Sequence, residues 1–87
     1  MKENFIGSVS NYFRNISVAA FEIESGKLAV GDTIHIKGHT TDVTETVSSI
    51  QMEHDVIETA KKGDDIGIKV SKKVRGGDKI FLIIDND

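Results

Sequence analysis

Cysteine, proline and tryptophan are all absent from the 87 residues, and the aromatic set is four phenylalanines and one tyrosine. Without cysteine there is no disulfide, no thiolate nucleophile, no iron–sulfur cluster and no cysteine-ligated zinc. Without proline every backbone N–H is free to join a β-ladder, which suits a fold whose strands are all paired. No apolar run approaches the length of a membrane span. Met1 to Gly7 carries one base and an early acid, Glu3, with no apolar stretch of the kind a secretory signal needs. These absences predict a soluble cytoplasmic protein with no membrane partner, and in that setting the glycosylation-like triplet Asn15-Ile16-Ser17 has no physical consequence. A positive field is lacking too. Fourteen acids against 11 bases give a net charge of −3, which argues against generic nucleic-acid binding and leads us to expect no DNA partner.

What the chain does have is a Gly-Asp pair used three times, each time launching a run of β-formers. Gly31-Asp32 leads into Thr33 to Lys37, Gly63-Asp64 into Ile66 to Val70, and Gly77-Asp78 into Ile80 to Ile84. Glycine accepts positive φ and aspartate caps its own turn backbone, so each pair closes one strand and aims the next. Phe5 to Phe13, with Val9 between two serines, reads as a first strand. Ile16 to Ile23 is apolar with little interruption, as expected of a strand covered on both faces or curling into a closed barrel. Lys27 to Val30 reads as a short strand or extended corner, and Ile34 and Ile36 alternate with Thr33, His35 and Lys37 so that the isoleucines face inward. Val43 to about Glu53 is rich in valine, threonine and serine and predicts one long strand, with a helical turn after His54 left open. Ile66 to Val70 and Ile80 to Ile84 are the most apolar runs and read as the centre of the core. Short strands with regular turn signals predict an all-β fold, a small closed antiparallel barrel of about six strands, with residues 1–87 as one domain.

The run Ile23-Glu24-Ser25-Gly26-Lys27-Leu28-Ala29-Val30-Gly31-Asp32-Thr33-Ile34-His35-Ile36 resembles domain II of the translational GTPases, typified by elongation factor Tu. That family uses a hairpin ending in glycine, an apolar step, Val-Gly-Asp or Val-Gly-Glu, and an alternating strand. Ala60-Lys61-Lys62-Gly63-Asp64-Asp65-Ile66-Gly67-Ile68 looks like its second signature and Gly77-Asp78-Lys79-Ile80 like its closing one, so the likeness covers most of Ile6 to Ile84. Ile6-Gly7-Ser8-Val9-Ser10-Asn11-Tyr12-Phe13 and Ile36-Lys37-Gly38-His39-Thr40-Thr41 are similar to the C-terminal barrel of collagenase-like peptidases and to free-standing elongation-factor-like proteins. The resemblance implies a closed barrel of six or so antiparallel strands that serves as a docking surface beside a catalytic or nucleotide-binding partner domain, with no chemistry of its own. The chain departs from the family in two places. It has no Gly-x-x-x-x-Gly-Lys-[Ser/Thr] loop to cradle phosphates, so GTP hydrolysis is not performed by this chain alone. The acids and phenylalanine that elongation factor Tu sets near the aminoacyl end of transfer RNA fall on Gly7, Ser8 and Ser10, so the likeness does not extend to that recognition.

Charge is unevenly spread. Lys61 to Lys79 holds seven bases and three acids, a local +4 that leaves −7 elsewhere. Such a segment steers an anionic partner, or it simply discourages edge-to-edge aggregation of strands. Tyr12, Phe13 and Arg14 together with Lys69, Lys72, Lys73 and Arg75 form the candidate RNA-binding set, because single-stranded RNA is held by aromatic stacking and phosphate neutralisation. The alternative is that Phe13 or Tyr12 packs in the barrel and the lysines are merely a solvated turn. His35, His39 and His54 with Asp42 and Asp55 are the one combination resembling metal ligands. His35 and His39 stand four apart, a spacing that aligns side chains on a helix and not on a strand, so no metal is expected. Asp64-Asp65 and Asp85 with Asp87 have no nucleophile nearby, and neither a catalytic residue nor a cofactor is expected. Two functions stay open. One is a stand-alone elongation-factor-like module that docks on tRNA, rRNA or a ribosome-associated partner and has no GTPase activity. The other is a protein–protein interaction module that docks on a separate enzyme or GTPase. A monomer is expected in either case.

Overall fold

Alternating apolar residues and three equivalent turns build ten strands in the computed structural model, which describes residues 2–84. They are β1 (Lys2–Phe13), β2 (Val18–Glu22), β3 (Lys27–Ala29), β4 (Thr33–Lys37), β5 (Asp42–Thr46), β6 (Ile50–Met52), β7 (Asp55–Ile57), β8 (Thr59–Lys61), β9 (Asp65–Lys69) and β10 (Lys79–Ile84). Eight form one antiparallel sheet in the order β5-β4-β10-β1-β2-β9-β6-β7, and β3 pairs with β8 as a separate ribbon. The 12-residue β1 serves both halves of the sheet, Lys2 to Ser8 lying against β10 and Val9 to Phe13 against β2. Its register slips at Phe5/Gly7 and at Val9/Asn11. Bulges of this kind bend a strand and increase its twist, which folds the two halves over a common core. Gly7 stands at the first bend because nothing larger fits, since a Cβ there would lie 2.5 Å from the Glu22 carbonyl oxygen. Ile6, Phe21, Ile23, Leu28, Ile34, Ile36, Ile50, Ile68 and Ile80 fill the core, each 1% exposed or less.

The three Gly-Asp turns are one device used three times. In each, the residue three before the aspartate (Ala29, Lys61 or Arg75) accepts the aspartate N–H through its carbonyl at 3.0, 3.0 and 3.1 Å. The same residue donates its own N–H to that aspartate's Oδ2 at 2.9, 3.0 and 2.8 Å. The glycine between them takes φ of 99°, 95° and 91° at Gly31, Gly63 and Gly77, a conformation open to glycine with little strain. Each turn then grips a buried residue from elsewhere in the chain: the glycine N–H donates to its carbonyl, and its N–H donates to the aspartate carbonyl. Val47, Ile23 and Val9 are held in this way by the first, second and third turn, at 2.7 to 2.9 Å throughout. Every clip therefore ties the start of a strand (β4, β9 or β10) to a distant segment through two hydrogen bonds, with two more bracing the turn itself.

The all-β antiparallel class holds, but the strands number ten and not about six. The ladder ends at β5 and β7 instead of joining into a ring, so its hydrogen bonds do not form the expected closed six-stranded barrel. Part of the difference lies in Val43 to Glu53, expected as one strand. Val43, Val47 and Ile50 are all buried, and the last two are three apart, a spacing at which a straight strand points one of them outward. The chain resolves this by bending between β5 and β6, with Val47 held in the first clip. No helical turn follows His54. Glu53 and His54, at φ of 50° and 72°, are the two central residues of the tight β6–β7 hairpin. Ile16 to Ile23 is covered on one face only: Ala19, Phe21 and Ile23 are buried, Val18 and Ala20 point outward half-buried, and Ile16 is 55% exposed. Among the described residues no helix is long and apolar enough to cross a membrane.

Candidate functional site

The uncovered face of β2 is part of a trough. Strand pairing sets three outward rows, Phe13–Val18–Lys69, then Asn11–Ala20–Gly67–Gln51, then Glu22–Asp65. Members of one row share a face of the sheet. Ala20 beside Gly67 puts the two smallest side chains together in the middle row, with Phe13, Ile16 and the tip of the β6–β7 hairpin standing higher around them. The result is an open depression of about 370 Å³. A Cβ on Gly67 would lie 2.8 Å from Val18 Cγ1, so glycine keeps the floor at backbone level. Phe13 is 46% exposed, a large apolar surface left to water at the trough's edge.

The residues singled out for RNA divide. Phe13 and Lys69 lie in one outward row on either side of Val18, roughly 10 Å apart by two strand spacings, and exposed Arg14 follows in the β1–β2 turn. Tyr12 belongs to the other face: it pairs with Ala19 and packs half-buried against the core, so strand alternation separates it from the Phe13 row. Lys72, Lys73 and Arg75 are exposed on the segment between β9 and β10. That segment is fastened by Val70 N–H to the Ser17 carbonyl, by Ser71 N–H and Oγ to the Glu45 carboxylate, and by buried Val74. The trough itself, with Ile16, Ala20, Gln51 and Gly67, escaped the sequence reading. Its one signal is a glycine inside the apolar run Ile66-Gly67-Ile68, a position where another chain can come close.

Charge around the trough is polar in both senses. Lys69 and Arg14 stand at the end next to the β1–β2 turn, and Glu22, Asp65 and Glu53 at the other. Glu22 faces Asp65 directly in the ladder. Among the described residues the ion pairs are confined to His35, so no base answers those three acids. His35 lies on the other half of the sheet, where its Nε2 meets Asp42 Oδ1 at 2.5 Å and its Nδ1 meets Glu3 Oε2 at 2.8 Å. The Asp42 hydrogen bond, then that of Glu3, raises the imidazole above its ordinary pKa of 6.5. The carboxylates occupy opposite ring nitrogens and therefore do not converge on one point. Among the described residues no group of three histidines or acids is placed to hold a metal ion, and Asp85 and Asp87 lie outside those residues.

The chain is 44% identical over 79 residues to an uncharacterized protease of Methanocaldococcus jannaschii, covering 90% of this chain and 19% of that protein. It is 43% identical over 81 residues to a collagenase of Porphyromonas gingivalis, covering 92% of this chain and 22% of that one. The chain thus spans about a fifth of the length of these relatives. Among solved structures, the C-terminal domain of a Geobacillus thermoleovorans protein assigned as a U32 peptidase superposes with a TM-score of 0.85 at 17% identity, covering 93% of each chain, a likeness of fold. Residues 17–80, which run from the end of the β1–β2 turn through all three Gly-Asp turns into β10, match the model for elongation factor Tu domain 2, and the chain belongs to that family.

Proposed function

We propose that this domain is a non-catalytic cytoplasmic binding module that docks on another protein through the outer face of β1, β2, β9 and β6. The observation that carries the reading is the trough, an apolar depression edged by exposed Phe13 and Ile16. Covering the exposed halves of those two side chains contributes about 2 kcal/mol, far short of a tight complex by itself. That magnitude suits a partner held nearby, since tethering supplies an effective concentration in the millimolar range. The relatives are about five times longer than this chain and bear the names protease and collagenase, which makes the body of a peptidase the partner to try first. The test is fluorescence anisotropy of the labelled chain against the Porphyromonas gingivalis collagenase lacking its matching segment. Saturable binding with little salt dependence, lost in the Phe13→Ala, Ile16→Ser variant, is expected. Binding indifferent to that variant would refute the docking face.

A second reading has one specific observation in its favour: a stackable ring, Phe13, shares a row with Lys69, and Arg14 is adjacent. An RNA base stacked on Phe13 would place phosphates near those cations. Three unanswered acids on the same face oppose it, and we rank it second. Amide shifts at Phe13, Arg14 and Lys69 on adding bulk tRNA, shrinking as salt rises, would put it first.

A further inference from the structure

The geometry points to the chemistry of the occupant: an extended segment carrying an apolar side chain and, two residues on, a lysine or arginine. This rests on the docking reading above and names the partner's recognition element. Ala20 and Gly67 lie side by side in the floor row, with Val18 and Phe13 higher on one side and Gln51 across it, leaving a notch open to a side chain from outside. The next outward row along β2 and β9 is Glu22 opposite Asp65. Same-face rows on a strand are two residues apart, roughly 6.7 Å, and an extended peptide repeats its own same-face side chains at that interval. A segment lying along β2 with its apolar side chain in the notch therefore delivers its residue two further on to the carboxylate pair.

Charge decides what that residue is. Like charges directly opposite each other on neighbouring strands repel, and among the described residues neither Glu22 nor Asp65 has an ion-pairing base. Glu53 lines the same end of the trough from the β6–β7 hairpin and adds a third carboxylate. The chain's own nearby base on this face, Lys69, is two rows away beside Val18, beyond the Ala20–Gly67 row. A cation from outside completes the arrangement, whereas an acid or a phosphate is turned away.

The experiment is an NMR shift titration of the full chain with two capped pentapeptides, Ser-Leu-Ser-Lys-Ser and Ser-Leu-Ser-Glu-Ser, at millimolar concentrations and two salt levels. The expected result is shifts centred on the Ala20, Gly67 and Gln51 amides with the lysine peptide, at least fivefold weaker with the glutamate peptide. The Glu22→Gln, Asp65→Asn variant, whose fold is verified by its own spectrum, is expected to remove that preference while still responding to leucine. Equal shifts with both peptides would overturn the cation requirement and leave the docking face intact. Silence with both would overturn this inference, and the collagenase titration with the Phe13→Ala, Ile16→Ser variant then decides the docking face separately. Shifts of the same floor amides by tRNA and by neither peptide would overturn it in favour of a nucleic acid.

Discussion

Replacing Asp78 by alanine tests whether burial sets the value of each clip. Asp78 is 5% exposed, and its Oδ2 accepts the Arg75 N–H at 2.8 Å. Truncation leaves that N–H, in a partly buried bond to a buried aspartate, without its acceptor. A hydrogen bond to a charged group contributes about 1.5–3 kcal/mol and an orphaned buried donor costs about 1–3 kcal/mol, two counts of the same loss, so about 2–3 kcal/mol is expected. The equivalent bond from Lys61 N–H to Asp64 is 3.0 Å and exposed, so water takes over and the cost falls to about 0.5–1 kcal/mol. Asp32, accepting Ala29 N–H at 2.9 Å in a half-buried site, belongs between them. In a domain of this size 1 kcal/mol moves Tm by roughly 4–8 °C, which puts Asp78→Ala about 10–20 °C below the parent and Asp64→Ala only a few degrees below. Urea unfolding followed by far-UV circular dichroism measures all three, with a constant m-value confirming that stability alone has changed. Asp78→Asn keeps an uncharged acceptor and should recover about half the loss. Equal losses at the three aspartates, or the largest at Asp64, would refute the reasoning.

Three further outcomes are expected. Glu53 and His54 occupy a two-residue hairpin turn at φ of 50° and 72°, where Asn-Gly is the favoured pair, so Glu53→Asn with His54→Gly should stabilise by about 1–2 kcal/mol in urea unfolding, and a loss would show the turn to be unstrained. Gly7→Ala puts a Cβ 2.5 Å from the Glu22 carbonyl oxygen, a backbone atom that cannot swing aside, and should cost at least about 2 kcal/mol; a near-neutral midpoint would mean that the bulge relaxes freely. His35 binds its proton more tightly in the folded chain than in the unfolded one, so its contribution is complete below 6.5 and fades as pH rises through the raised folded value. Urea midpoints between pH 5.5 and 9 should decline in that window and flatten in His35→Gln. An identical slope in both proteins would assign the decline to another group.

The turns were legible because their chemistry is local. Gly31, Gly63 and Gly77 take positive φ and Asp32, Asp64 and Asp78 cap their own backbone, as the dipeptides require. What each clip grips was not legible, because Val9, Ile23 and Val47 are ordinary apolar residues chosen by long-range hydrogen bonds. The break between β5 and β6 is the same lesson in reverse: Val43 to Met52 has the composition of one strand, and only the need to bury both Val47 and Ile50 bends it. Phe13 and Tyr12 are neighbours in sequence, yet alternation on β1 sends them to opposite faces. Phe13 and Lys69, 56 positions apart in sequence, share an outward row through cross-strand pairing that the separate motifs do not encode.

The distribution of local costs separates the two outer faces of this sheet. On the β5-β4-β10 side His35 reaches both Asp42 and Glu3, and Lys37 stands in register between Asp42 on one strand and Lys79 on the other. On the β1-β2-β9-β6 side the ordinary rules fail together. Gly67 sits inside a strand, where it costs about 0.5–1 kcal/mol relative to alanine. Glu22 opposes Asp65, and the hairpin that edges the trough turns on two residues with side chains at positive φ. None of the three is demanded by the core, since Glu22, Asp65, Glu53 and His54 are exposed and Gly67 points away from it. The clips hold the inner face tightly enough to tolerate them. Departures from local consistency gather where a protein meets its ligand, and three of those in this chain lie beside one apolar notch, while Lys37 opposite Lys79 and Lys27 opposite Lys61 lie away from it. If the notch had no occupant, filling it would affect nothing but the contact with Val18. Gly67→Ala would then leave peptide titration unchanged once Val18→Ala had relieved the contact at 2.8 Å, whereas an occupied notch predicts weakened binding in that double variant relative to Val18→Ala alone.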